Sequence, residues 1–180
     1  MIYDLPSGYS IVFIPKNASS SVKDALNWDY ENPPPKQKWH NRLAIPDENK
    51  GKLVAILRDP VERFLSCCSF LNERTGKRDY SFDVKTYMAF HGKYPVKFMD
   101  WHMKKQIEFI QNPDWFAKLY FISEIAEFFA DHSLGEVRHR NRTKNAAKFK
   151  PTQEIIDFVH DKYKEDYDLI ASLKPEHRAL

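Results

Sequence analysis

Apolar and polar positions fall in blocks along this 180-residue chain, and the blocks define its elements. The run YSIVFI (9–14) joins β-branched and aromatic residues without a polar break, the pattern of a buried strand. Val22, Ala25 and Leu26 then take up helical spacing behind Ser19–Ser21, which supply N-cap chemistry. Pro33-Pro34-Pro35 ends that region and opens an irregular connection through about residue 51. KLVAIL (52–57) predicts a second buried strand. Asp59-Pro60 predicts a helix start, with Asp as N-cap and Pro at the first helical position. Val61, Phe64, Leu65, Cys68 and Leu71 form the apolar face of that helix, with Glu62, Ser66, Ser69 and Glu73 opposite.

Further on the pattern weakens. The polar, aromatic-rich stretch 75–115 predicts a helix around 97–111, and KLYFIS (118–123) a third strand. The end predicts an amphipathic helix over 152–171, with Ile155, Ile156, Val159, Tyr163, Tyr167 and Ile170 in register. Strands alternating with helices predict an α/β fold with a mainly parallel sheet, in one domain over 1–180.

Composition narrows the setting. With 42% hydrophobic residues the chain can bury a core without disulfides or a structural metal. Mean hydropathy is negative and no long apolar run occurs, so no membrane span is expected. The opening MIYDLPSGYSIVFIPK lacks the basic and apolar regions of a secretory signal, which makes the cytoplasm the expected compartment. Cys67 and Cys68 are adjacent and the only cysteines, so no disulfide framework and no cysteine metal site is expected. Net charge is only +3, but in residues 136–150 six Lys/Arg face Glu136 alone, a local +5. Such a patch suggests an anionic ligand, although a solvated basic loop gives the same pattern.

The segment IVFIPKNASSSVKDAL holds the most chemistry. A strand stops at Pro15, a loop of small and hydroxyl residues follows, and a helix begins. Amides at such a helix start favour phosphate or sulfate, and Lys16 stands at the loop entrance. An ordinary strand–turn–helix with an exposed lysine would look alike. A conventional P-loop carries GxxxxGK[ST], whereas here the lysine comes first and the loop has no glycine, which counts against a nucleotide kinase. VAILRDPVERFLSCCSF repeats the strand–turn–helix order and puts Arg58 at the strand's end, with Ser66 eight residues on. Ligands of parallel α/β sheets bind outside the carboxyl ends of strands, so Lys16 and Arg58 are expected at one edge. The plainer alternative pairs Arg58 with Asp59 or Glu62 at the surface.

Together these segments resemble the sulfotransferases that use 3′-phosphoadenosine 5′-phosphosulfate, in particular the carbohydrate branch with the heparan and chondroitin enzymes. The resemblance implies a P-loop-like three-layer sandwich, its mainly parallel central sheet flanked by helices. It implies that Lys16, Asn17, Ala18, Ser19, Ser20 and Ser21 bind the 5′-phosphosulfate. Within Arg58, Asp59, Pro60, Arg63 and Ser66, an RDPxxRxxS pattern, it implies that Arg58 and Ser66 hold the 3′-phosphate. HRNRTKN (139–145) resembles the family's late cofactor-covering loop, which would bring Arg140 and Arg142 to the nucleotide. Tyr163, Asp166 and Tyr167 resemble its terminal Y-x-x-D-Y pattern, a packing feature. The animal members are longer and Golgi-anchored, so a soluble, pared-down relative is expected here.

The implied reaction passes a sulfuryl group to an acceptor hydroxyl, by the resemblance on a carbohydrate, with Lys16 and the amides of 17–21 stabilising the leaving oxygen. No metal is called for. A base is needed, and His40 in KWHNRL resembles by position the catalytic histidine of heparan 2-O-type relatives. His102 in DWHMKKQ resembles a His-x-x-x-Gln stretch near the acceptor in some members, and Glu124 is a third candidate. A rival class is a nucleic-acid-binding module using 136–150 with Trp39 and Trp101. Near-neutral overall charge and the lack of a recognition-helix or RNA-binding signature weigh against it.

Overall fold

The two apolar runs become neighbouring parallel strands. A computed structural model describes residues 2–28, 47–76, 84–93, 101–137 and 149–173. Its sheet has the order β1 (Ile2–Asp4), β2 (Ser10–Val12), β3 (Leu53–Leu57) and β4 (Phe116–Phe121). β1 lies antiparallel to β2, while β2–β3 and β3–β4 are parallel. The helices are α1 (Ser19–Ala25), α2 (Pro60–Gly76), α3 (Val84–Lys93), α4 (Ile107–Ile110), α5 (Ile125–Asp131), α6 (Gln153–Lys162) and α7 (Lys164–Ser172). The fold is α/β with an open, mostly parallel sheet. No helix among the described residues is long and apolar enough to cross a membrane.

The chain forms two compact units: Met1–Arg58 with Glu108–Asn141, and Asp59–Ile107 with Arg142–Leu180. In the first, alternate residues Ile11, Phe13, Val54, Ile56 and Tyr120 share one core with Val22 of α1 and Phe128 and Phe129 of α5. Every residue of β3 is buried, which is why LVAIL carries no polar alternation. Tyr120 meets Phe128 edge-to-face at 5.1 Å, a favoured aromatic geometry.

The second unit is built on α2. Val61, Phe64, Leu65, Cys67, Cys68 and Leu71 pack with Val84, Met103, Ile155, Val159 and Tyr163. Asp59 caps the helix as expected, its Oδ1 accepting from Glu62 N at 2.9 Å. Ser69, assigned to the polar face, is instead buried, and its hydroxyl donates back to Leu65 O at 3.0 Å.

Residues 101–111 depart from the expected helix, while 97–100 lie outside the described residues. A 3₁₀ turn spans Trp101–Met103, and α4 has only four residues. Side chains have taken the backbone groups that a helix would pair. Gln106 N would donate to His102 O; it donates instead to Asp166 Oδ2 at 2.9 Å. His102 O receives Arg63 Nη2 at 3.0 Å and the Cys67 thiol. Ile107 N would reach Met103 O; it donates to Asp166 Oδ1 at 3.0 Å, and Met103 O accepts from Tyr163 Oη at 2.9 Å. The predicted terminal helix likewise divides into α6 and α7 at Tyr163, where φ is −114° and ψ 26°. Other departures are smaller. β4 starts two residues before the expected strand, and β1, α3 and α5 have no counterpart among the expected elements.

Asp166→Ala should lower unfolding free energy by about 1–3 kcal/mol, because two amide donors lose their acceptor. Asp166→Asn keeps an oxygen there and should cost less. Denaturant titration of both variants checks the order.

Candidate functional site

The loop after β2 turns sharply without glycine. Lys16 has φ 69° and Ala18 φ 57°, both left-handed, a conformation that non-glycine residues adopt at a cost. Something must hold it. Asn17, 3% exposed, sends its Nδ2 to Ile56 O at 2.8 Å. Half-buried Arg58 sends Nη1 to Lys16 O at 3.3 Å. Two side-chain hydrogen bonds thus fasten the loop to the carboxyl end of the adjacent parallel strand. Lys16 and Arg58, 42 positions apart, meet as expected at one edge of the sheet.

The details of the loop change the expected anion chemistry. The serines do not cap α1: the N-cap is left-handed Ala18, with no side-chain cap bond, and Ser19–Ser21 form the first turn, half-buried. Ser19–Ser21 N–H groups have no intrahelical acceptor, as in any first turn. Asn17 N, by contrast, donates to Ile14 O at 3.3 Å, and its side-chain Nδ2 is committed to the Ile56 carbonyl. Asn17 is therefore a positioning residue for the loop. With seven residues α1 is too short for a strong dipole, and the cationic residues beside its start are Lys16 and Arg58.

The remaining candidates divide. Ser66 is half-buried on α2, in the second unit. His102 belongs to that unit too; its ring lies 4.5 Å from that of Phe70, and its carbonyl is held by Arg63 and Cys67. Arg63 is 1% exposed, so this motif arginine is built into the second unit's interior. Glu124 accepts from Phe121 N at 2.6 Å and closes the end of β4, the packing role open to it. Tyr163 and Asp166 serve packing, as expected of their pattern. His40, Arg140 and Arg142 lie outside the described residues, as does most of the basic 136–150 segment. Cys67 and Cys68 are both buried, and burial pushes the Cys68 thiol far above its ordinary value. Among the described residues no group of three or more His, Cys, Asp or Glu is arranged to hold a metal ion.

Sequence reasoning missed the part played by Asn17 in holding the loop. The local sequence does not mark that role, because its partner Ile56 lies 39 positions away. No family model, curated protein or solved structure matches the chain.

Asn17→Ala should destabilise the protein by about 1–3 kcal/mol, since it removes a buried donor from a buried carbonyl. Thermal and denaturant unfolding measure the loss. A change within error would mean that the loop holds itself.

Proposed function

We propose that this chain is a sulfotransferase that moves a sulfuryl group from 3′-phosphoadenosine 5′-phosphosulfate to an acceptor hydroxyl on a carbohydrate. The proposal includes the P-loop-like sandwich that the resemblance implies. One observation carries it: the PKNASSS loop and the arginine of RDPxxRxxS are hydrogen-bonded to each other at adjacent parallel strand ends. That edge is where parallel α/β sheets bind ligands. The fit to the nucleotide is a fit of charge: two cationic residues and a tightly turned loop suit a ligand with two separate anionic groups.

When bound, the nucleotide supplies an activated sulfuryl group whose release leaves charge on the oxygen of the 5′-phosphate. Lys16 and the first-turn amides offset that charge. Arg58 anchors the 3′-phosphate, a role that the resemblance gives jointly to Ser66, and so fixes the reacting group in place. Arg140 and Arg142 are proposed to cover the nucleotide. A histidine, His40 ahead of His102, takes the acceptor proton, a contribution of about 10²–10⁴ in rate.

Adenosine 3′,5′-bisphosphate should raise the melting temperature, because it binds only the folded state. ATP, which has no 3′-phosphate for Arg58, should raise it less. Arg58→Ala should cost about 1.5–3 kcal/mol of bisphosphate binding, the worth of a charge-assisted hydrogen bond. Equal shifts with both nucleotides would overturn the assignment. His40→Ala and His102→Ala, assayed separately, identify the base as the variant that loses kcat yet binds the bisphosphate normally.

A further inference from the structure

The other end of β2 carries a second set of reactive groups. The turn between β1 and β2 precedes β2, whereas Lys16 follows it, so the two lie at opposite ends of that strand. In this turn Ser7 Oγ stands 2.7 Å from Nδ1 of His132, a residue 125 positions away and 2% exposed. The tautomer that accepts from Ser7 carries its hydrogen on Nε2, which faces Tyr120 Oη at 3.3 Å. Tyr120 donates in turn to Asp131 Oδ2 at 2.7 Å. Lys118 Nζ holds the same oxygen at 3.1 Å and also binds Glu127. A loop hydroxyl is thus wired through an imidazole and a phenol to a carboxylate.

We propose that Ser7 is an activated nucleophile and that this turn is a second reactive site, one that accepts the acyl group of small aryl esters. The arrangement has the logic of a serine–histidine–acid set, with the imidazole reversed and Tyr120 interposed before the acid. Ser7 Oγ attacks the ester carbonyl carbon while its proton passes to His132 Nδ1. The bond to the phenol oxygen then breaks, and His132 returns the proton to that oxygen. Water attacks the acyl-serine by the same route, which releases a carboxylic acid and restores Ser7.

Three features favour this chemistry over a merely anchoring bond. Burial holds the His132 imidazole below its ordinary value, so it is a neutral acceptor at pH 7. Hydrogen bonds from Tyr120 and Lys118 hold Asp131 ionised, ready to stabilise the imidazolium through Tyr120. Ser7 is half-buried and sits between exposed Pro6 and exposed Gly8 and Tyr9, so a small ester can approach the turn. Tyr9, 39% exposed, sets its ring 5.5 Å from His132 and offers an apolar surface to an aryl group.

Full-length protein treated with an aryl fluorophosphonate, a serine-directed electrophile, tests this by intact mass and peptide mapping. The expected result is one adduct, on Ser7, at a rate that rises with pH through a single group below pH 7 and then levels. Ser7→Ala should abolish the adduct and leave adenosine 3′,5′-bisphosphate binding unchanged. Tyr120→Phe keeps the ring but cuts the path to Asp131, and it should label at least ten-fold more slowly. His132→Gln should label at a background rate. No adduct, an adduct on Tyr9 or elsewhere, or parent-like labelling in both relay variants would overturn the proposal.

Discussion

Two hydrogen bonds, from Asn17 to the Ile56 carbonyl and from Arg58 to the Lys16 carbonyl, set the geometry of the candidate site. They hold a glycine-free loop through two left-handed residues, which a short chain segment would not hold unaided. Each bond joins the end of β2 to the end of β3, so the loop's shape depends on the parallel pairing of these strands. That pairing in turn depends on complete burial of β3. The path runs from an apolar pentapeptide, through strand register, to a pair of cations at one edge.

The second unit obeys a comparable constraint with opposite effect. Arg63, Tyr163 and Asp166 bind the backbone of residues 102–107 and replace two helical hydrogen bonds with side-chain ones. Their cost of burial is offset because each polar group meets a partner. The result is a fixed, irregular segment that presents His102 from a 3₁₀ turn. A buried arginine and a buried carboxylate thereby act as architecture.

Much of this was legible in the sequence because burial leaves a simple trace. β2, β3 and α2 read directly from YSIVFI, KLVAIL and the Asp-Pro start, as did the meeting of Lys16 with Arg58. Three-residue β1 is too short for any periodicity to mark it. The break at Tyr163 contains neither glycine nor proline; it follows from a hydroxyl drawn to Met103, 60 positions away. Within the helix expected around 97–111, Gln106 and Ile107 give their amide hydrogens to distant Asp166 instead of the preceding turn, and local pattern does not record such competition. The relay from Ser7 to Asp131 was illegible for the same reason, since its members are spread over two turns, a strand and a helix.

Movement of the label itself would reveal the proposed sulfuryl transfer without intermediary. The protein would be incubated with ³⁵S-labelled 3′-phosphoadenosine 5′-phosphosulfate and a panel of sugars, phenols and steroids. The proposed activity should give labelled ester on a sugar hydroxyl, formed together with adenosine 3′,5′-bisphosphate and strongly reduced in Lys16→Ala. Absence of transfer to every acceptor, or transfer unchanged in Lys16→Ala, would contradict it.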